Sequence, residues 1–540
     1  MDPEKQDEVV KPSGSSRFQS EATSLADPSE QKEQYARDEF EEGIEEAFEP
    51  ARDEETGFHQ HGGRHQQAAQ EPESFLVDWD GPNDPGNPHN MPQSRKWTIT
   101  IVAALMTFVV SFGSSVFSTA TTVTAEQFGV SEEVMILSVS LYVVGFACGP
   151  LVWGPLSEVF GRRIPLMIGM FGFLIFQIPV GVANNVATIF LARFFAAAFG
   201  AAPLAIVAGM YVDFWDPTMR AIATQAFAAA VFAGPATGPI VGEFTVKNEA
   251  LGWRWTAWFT MIMGAVFFLV GLFVIPETLA PVLLKRKAAR LRVETKNWAL
   301  HSKSEEEPVS NKAIFRKYGL KPLLMIVREP ILIIMTIYIS LVYGILYLIF
   351  FAFPISYQYD RGFAFGTSSL PFIAIFVGVL IACCIMAWET VAVFTPKLKK
   401  AKKLIPEERL PPMVAGGVVL VIGLFWFAWT SYPSINPWPQ IISGAFIGCG
   451  IIMVFMPAVV YLVDVYLFDA NSALAANGFV RAMVAAAFPL FSTYMYEKLG
   501  VQWATSLLGF IALALVPAPI FFYLYGKKIR SWSKFAFDLG

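Results

Sequence analysis

Apolar residues gather along this chain in blocks of roughly 20, the length at which a helix crosses a hydrocarbon layer, and polar stretches separate the blocks. Twelve spans are predicted, at 97–119, 133–153, 164–183, 187–211, 220–243, 254–276, 331–354, 367–390, 411–432, 440–463, 472–495 and 502–525. Gly and Pro interrupt several of them, which membrane helices tolerate when neighbours satisfy the freed backbone groups. The pattern predicts an all-α membrane protein. Between spans six and seven, the polar stretch 277–330 divides the bundle into two six-helix halves and holds 12 Lys and Arg, among them Lys285, Arg286, Lys287, Arg290 and Arg292. Its run LLKRKAARLR sets Leu and Ala among cations at helical spacing. This predicts an amphipathic helix along the membrane surface, with a calmodulin-type target helix as the other reading of the pattern.

Composition narrows the class. With 54% hydrophobic and 16% charged residues, a soluble multidomain protein is excluded. Residues 1–60 hold 18 of the 45 Asp and Glu but only six Lys and Arg, so residues 1–92 read as a disordered acidic cytoplasmic tail. No apolar segment near the start would serve as a signal peptide, so span one is expected to act as the membrane signal. The other expected units are an N-terminal half 93–276, a cytoplasmic central loop 277–330, a C-terminal half 331–526 and a basic cytoplasmic tail 527–540. Arg162, Arg163, Arg220, the central cations, the run Lys397 to Arg409 and Lys527, Lys528, Arg530 and Lys534 fall on one face. Only Lys247, Arg254, Arg361 and Lys498 fall on the other, so the rule that cations stay inside predicts that both termini are cytoplasmic.

Several chemistries drop out. The net charge of -5 comes from the tail, and no nucleic-acid partner is implied. Cys148, Cys383, Cys384 and Cys449 lie inside apolar runs and suggest neither a disulfide framework nor a metal site. All five His lie outside the spans, against a membrane-embedded enzyme, and a non-transporting sensor would need a long structured cytosolic extension. There is no G-x-x-x-x-G-K-S/T phosphate loop, so an ion gradient rather than ATP is the expected energy source and no cofactor is implied. Two repeated halves rocking about a midplane site would use such a gradient.

The loop after span two reads Gly154-Pro155-Leu156-Ser157-Glu158-Val159-Phe160-Gly161-Arg162-Arg163. Gly154 and Gly161 would allow close helix approach and a tight turn, and Glu158 could cap a neighbouring helix. The loop resembles the signature G-x-L-x-D-x-x-G-R-R/K of the major facilitator superfamily, with Glu158 in place of Asp. Span five carries Gly234-Pro235-Ala236-Thr237-Gly238-Pro239-Ile240-Val241-Gly242, which looks like the G-P-x-x-G motif of the antiporter branches; its small residues favour tight packing and its prolines a bend. Leu191-Ala192-Arg193 in span four resembles the L-x-x-R opening of a third motif, although Ala196 and Ala197 stand where Gln and Gly are usual. Together with Trp253-Arg254-Trp255, Ile275-Pro276-Glu277-Thr278-Leu279, Tyr461-Leu462-Val463-Asp464, Ala473-Leu474-Ala475-Ala476-Asn477, Phe488-Pro489-Leu490 and Leu507-Leu508-Gly509-Phe510, these look like the fungal twelve-span drug:proton antiporter group, over residues 75–535.

The resemblance implies a proton-coupled exporter of drugs, toxins or secondary metabolites, acting as a monomer in the plasma membrane or, alternatively, the vacuolar membrane. It implies a proton-coupling role for Arg193 and a cytoplasmic latch of Glu158, Arg162 and Asp213, with Glu158 facing the start of span eleven near Asn471 and Ser472. An arginine in hydrocarbon costs roughly 2.5–3.5 kcal/mol, so Arg193 either meets partners or, near the outer end of span four, snorkels to water. For the substrate cavity the candidates are Gln225, the aromatics Tyr338, Tyr343 and Tyr347 of span seven, and the polar pair Asn477 and Arg481 one turn apart in span eleven. Polyamines are the other solute class of this group. They would need acids facing the cavity, and Glu389, Glu243 and Asp464 fall near span ends, so neutral or anionic organic solutes are favoured, organic acids included.

Overall fold

The computed structural model describes residues 75–306, 321–401 and 405–533. Among the described residues six long helices make the first half: α1 Gln93–Ser115, continued by a 3-10 turn Val116–Ala120 and a short helix Thr121–Phe128, α2 Glu132–Phe160, α3 Arg163–Gly181, α4 Val186–Val212, α5 Pro217–Lys247 and α6 Trp255–Val274. The second half contains α7 Pro330–Phe353, α8 Phe372–Glu389, α9 Pro411–Trp429 and α10 Pro437–Tyr466, and then a helical run from Ala470 to Arg530. Polar caps set the register of several helices. Asn185 Oδ1 accepts from Thr188 N at 2.8 Å to start α4, and Asp216 Oδ2 accepts from Met219 N at 3.1 Å ahead of Pro217 in α5.

Among the described residues, 11 continuous helical stretches are long and apolar enough to cross a membrane, one fewer than the sequence pattern predicts. The difference lies in the last stretch, 61 residues long, about three bilayer thicknesses if straight. It is not straight. Gly500 has φ 72° and ψ 160°, a conformation that interrupts a helix and that an L side chain resists. Tyr496 Oη and Thr505 Oγ1, nine residues apart, lie 3.5 Å from each other, so the chain doubles back there. The segments on either side are α11, 470–499, and α12, 501–530, and the predicted outer loop shrinks to one glycine.

Helix burial separates lipid-facing from central elements. On α6, Ile262, Val266, Leu269, Val270 and Phe273 form one exposed stripe, and α3 has another in Ile164, Ile168, Phe171, Ile175 and Ile178. Apolar stripes of that size belong against acyl chains. In α7, by contrast, every residue from Tyr338 to Phe353 is buried. The packing order repeats between halves. In the first, α2 and α3 flank α4 while α1 packs on α5; in the second, α8 and α9 flank α10 while α7 packs on the 470–515 helix. The halves meet along two seams, α2 with the 470–515 helix and α5 with α8.

Two expectations about the polar segments change. Residues 75–92, expected within the disordered tail, are held in place, whereas 1–74 lie outside the described residues. Asp84 is nearly covered, accepts from Asp80 N at 2.8 Å and Gly86 N at 2.7 Å, and lies 3.1 Å from Lys287 Nζ on the loop helix Ala280–Thr295. Leu76 pairs with His301 as an isolated bridge. The loop helix thus turns Lys287 and the buried Ala288 toward protein rather than toward lipid alone. A second short helix, Lys321–Arg328, buries Pro322 and Met325 while exposing Leu323, Leu324 and Val327, a better fit to an interfacial helix. At the other end of the chain, α12 extends through Lys527 and Lys528 to Arg530, expected to lie in the terminal tail.

Candidate functional site

The turn between α2 and α3 is organised by a carboxylate 115 residues further along the chain. Glu277, just after α6, accepts from Arg162 N at 2.8 Å and Arg163 N at 3.3 Å, and also from Thr278 N at 3.0 Å and Leu279 N at 3.1 Å. An acid at the start of α3 satisfies orphan amides and complements the helix dipole. Gly161, at φ 91°, brings the chain past that carboxylate, where a Cβ would collide with it. So fixed, Arg162 directs Nε to Asp213 Oδ2 at 3.0 Å and Nη1 to Ser157 Oγ at 3.0 Å, and Thr278 Oγ1 donates to the same Asp213 oxygen at 3.0 Å. The side chains of Arg162 and Asp213 are 13% and 11% exposed, so the pair is not an ordinary surface ion pair. Arg163 donates to Leu272 O at 2.8 Å, and Glu158 accepts from Asn471 Nδ2 at 2.8 Å across the α2/α11 seam.

Gly154 does not do what its motif position suggests. A Cβ there would meet nothing within 4 Å, whereas at Gly145 it would lie 2.6 Å from Phe194 O and at Gly149 2.8 Å from Ala198 O. The close approach of α2 to α4 is therefore deeper in the bundle. The span-five motif does mediate contact. Gly234 and Gly238 lie along one face of α5 against α1, and Gly242 on the same face against Val116 and Thr119 just beyond α1, while α5 continues as one helix through Pro235 and Pro239.

Arg193 is 3% exposed, which sets aside the snorkelling alternative. Its Nε donates to Ser138 O at 2.9 Å and its Nη2 to Gly113 O and Ser114 O at 3.3 and 3.4 Å, and its guanidinium lies 4.7 Å from the Phe117 ring and 4.8 Å from that of Tyr142. Arg481 is held in a similar way on α11. Nη1 donates to Asn477 Oδ1 at 3.4 Å, Asn477 Nδ2 donates to Thr336 Oγ1 at 3.0 Å, and the rings of Phe455 and Tyr343 lie 4.7 and 5.1 Å from the guanidinium. Among the described residues neither arginine meets a carboxylate at ion-pair distance. Tyr343 and Tyr347 stand between them, hydroxyls 3.4 Å apart, with Tyr347 within hydrogen-bonding reach of Ser114 and Tyr343 beside Phe232 of α5. Tyr338 is elsewhere, under Gly417 of α9, and its hydroxyl has no hydrogen-bond partner among the described residues. Gln225 is buried in α5, and its Oε1 has no partner among the described residues.

The Major Facilitator Superfamily profile matches residues 103–489. The chain belongs to the major facilitator superfamily. It is 52% identical over 86% of its length to the citrinin biosynthesis cluster MFS transporter of Monascus ruber, 92% of which is covered. It is 48% identical to the ascochitine biosynthesis cluster MFS transporter of Didymella fabae, over 85% of this chain and 89% of that one. With the cercosporin MFS transporter of Cercospora nicotianae it shares 44% identity, over 86% and 90%. The fold is similar to that of the proton:xylose symporter XylE, with a TM-score of 0.57, 17% identity and coverage of 81% and 96%. The protein is thus a membrane transporter and not an enzyme.

Sequence reading missed three parts of this transporter. Glu277 was noted only within a family motif, because its four amides come from backbone that composition does not reveal. A second partly buried ion pair, Arg409 Nε to Asp464 Oδ2 at 3.1 Å, stands ahead of α9 and at the end of α10, as Arg162 and Asp213 stand ahead of α3 and after α4. The repeat of cation and acid at matching span ends was a legible signal. The third is a cavity of about 690 Å³ at the end of the bundle opposite the basic loops, lined by the ends of α1, α5, α7 and α11 and including Glu132, Glu243, Asp360 and Glu497. Carboxylates do face a cavity, contrary to expectation, because the spans run past their apolar cores.

Proposed function

We propose that this transporter exports small organic molecules in exchange for protons, and that its solutes are flat and carry an acidic or carbonyl oxygen. The observation that carries the reading is the pair of arginines inside the bundle, Arg193 buried and Arg481 partly buried, bonded to neutral oxygens, faced by aromatic rings and lacking carboxylate partners among the described residues. Such guanidiniums retain attraction for an anionic or polarised solute, and the rings of Phe232, Tyr343 and Phe455 offer stacking surface. Relatives named for citrinin, ascochitine and cercosporin support a secondary-metabolite cargo. Glu158 with Asn471, and the two Arg–Asp pairs, would close the cytoplasmic side while the opposite side is open.

Orientation with both termini inside follows the cation distribution, and residence in the plasma membrane as a monomer completes the reading. The test is flux into proteoliposomes for a panel of citrinin, apolar, anionic and polyamine solutes under an imposed proton gradient. Transport that persists after a protonophore collapses the gradient refutes proton exchange. Polyamines form the second reading, favoured by the acidic cavity, and their transport in place of citrinin would select it.

A further inference from the structure

The acidic cavity contains one carboxylate unlike the rest. Glu243, next to the last glycine of the α5 motif, is 2% exposed. Its Oε1 accepts from Ser368 Oγ at 2.5 Å, from the connection ahead of α8, while Oε2 is buried and has no hydrogen-bond partner among the described residues. A buried carboxylate with one bare oxygen lacks the bonds that compensate for lost water. Glu243 nevertheless lines the cavity, which offers a route to it.

The other groups facing it come from every neighbouring element: Glu132 at the start of α2, Tyr359 and Asp360 after α7, and Tyr496 and Glu497 at the end of α11. Lys247, one turn further along α5, runs over Gly366, and among the described residues no Lys or Arg lines the cavity itself. A concave space walled by acids concentrates cations. The cavity also lies next to the arginine site. Ser118 on its wall is one turn beyond Ser114, which faces Tyr347, and Phe350 on its wall touches the Tyr347 ring with centroids 5.3 Å apart.

We infer that Glu243 is the proton-binding carboxylate of this transporter, loaded from the outer side through the acidic cavity. The inference rests on the proton-exchange reading above. With a proton, Glu243 is neutral and can stay buried against Ser368, letting α5 and the α8 side close; without it, the bare charge draws water and favours the open cavity. Solute at the arginines and proton at Glu243 then occupy separate sites on one helix, since Phe232, beside the rings that face Arg481, and Glu243 are about three turns apart on α5. The same helix carries both the antiporter-like motif and this carboxylate.

The test uses the full chain in proteoliposomes with citrinin as probe, comparing accumulation driven by a proton gradient with equilibrium exchange at zero gradient. Glu243→Gln should lower the ratio of driven accumulation to exchange to that of wild type treated with protonophore, and Glu243→Asp should restore part of it. A Gln variant that keeps the wild-type ratio overturns the inference. A sodium gradient that drives wild type in the absence of a proton gradient, with that drive lost in the Gln variant, overturns it in favour of a metal cation. A second measurement needs no solute. Dicyclohexylcarbodiimide, which attacks protonated carboxyls in apolar surroundings, should modify the peptide containing Glu243 at low pH and progressively less as pH rises. Absent or pH-independent modification overturns the inference even if citrinin proves not to be a cargo, whereas failure of wild type to move any solute of the panel counts against the transport reading alone.

Discussion

Replacing Gly234 by Ala sets two effects of similar size against each other. In an isolated helix the change would stabilise by about 1 kcal/mol, because Gly is the costlier residue in a helix interior. Here the new Cβ would lie 2.6 Å from Phe112 N and 2.7 Å from Phe108 O, both backbone atoms of α1 that no rotamer change can move. Ordinary contact begins near 3.5 Å, so α1 and α5 must separate by roughly 0.8 Å. Overpacking of this kind costs about 1–3 kcal/mol and should outweigh the propensity gain. The control is Gly154→Ala, where a Cβ meets nothing within 4 Å and only the gain of about 1 kcal/mol remains. Thermal unfolding of the detergent-solubilised protein should therefore show a lower Tm for Gly234→Ala and an unchanged or higher one for Gly154→Ala. If Gly234→Ala is as stable as Gly154→Ala, the α1/α5 contact is not as tight as described and the packing role of the motif is wrong.

Arg193→Ala should reach the membrane normally, since it removes a charge costing roughly 2.5–3.5 kcal/mol to insert, yet lose driven flux, with Lys rescuing only in part; surface abundance measured beside flux decides. Glu277→Ala strips four backbone amides of their acceptor and should cost about 0.5–2 kcal/mol or more, read as a lower Tm, while Glu277→Gln loses less. The amides of Asp80 and Gly86, with Lys287 alongside, hold the Asp84 carboxyl down at about 2. Its contribution to docking of residues 75–92 is therefore full above the unfolded carboxylate value of about 3.9 and lost as pH falls through about 2, so Asp84→Asn should raise protease sensitivity of this segment at pH 7. Deletion of residues 1–70 should leave flux in proteoliposomes intact; loss of flux by a normally inserted protein would refute this.

The sequence was most readable where one physical rule governs a whole segment. Lipid demands long apolar helices, and the spans followed from that alone. Charge placement, governed by insertion, gave an orientation in the same way. Reading failed where a single residue or a distant partner decides. Gly500 ends α11 without a polar loop, so a pattern built on loops placed a connection of several residues there. Gly154 fits a motif yet faces open space where a side chain would stand, because Gly145 and Gly149 already set the approach of α2 to α4. Glu277 and Glu243 depend on groups 115 and 125 residues away in sequence, Arg162 and Ser368, and only the folded chain pairs them.

Two of the hydrogen bonds that cross between halves, Glu158 with Asn471 and Glu243 with Ser368, lie on different seams and at opposite ends of the bundle. In a rocking body this is a diagonal brace. Either tie alone would leave the halves free to pivot about the other, whereas together they resist tilting toward both faces and hold a nearly closed form. Loosening the Asn471 end frees the face that carries the basic loops, and loosening the Ser368 end frees the opposite one. A molecule that wedges into either corner would therefore trap the protein with the opposite mouth shut, so two chemically unrelated inhibitors could block it from the two sides of the membrane without sharing a contact.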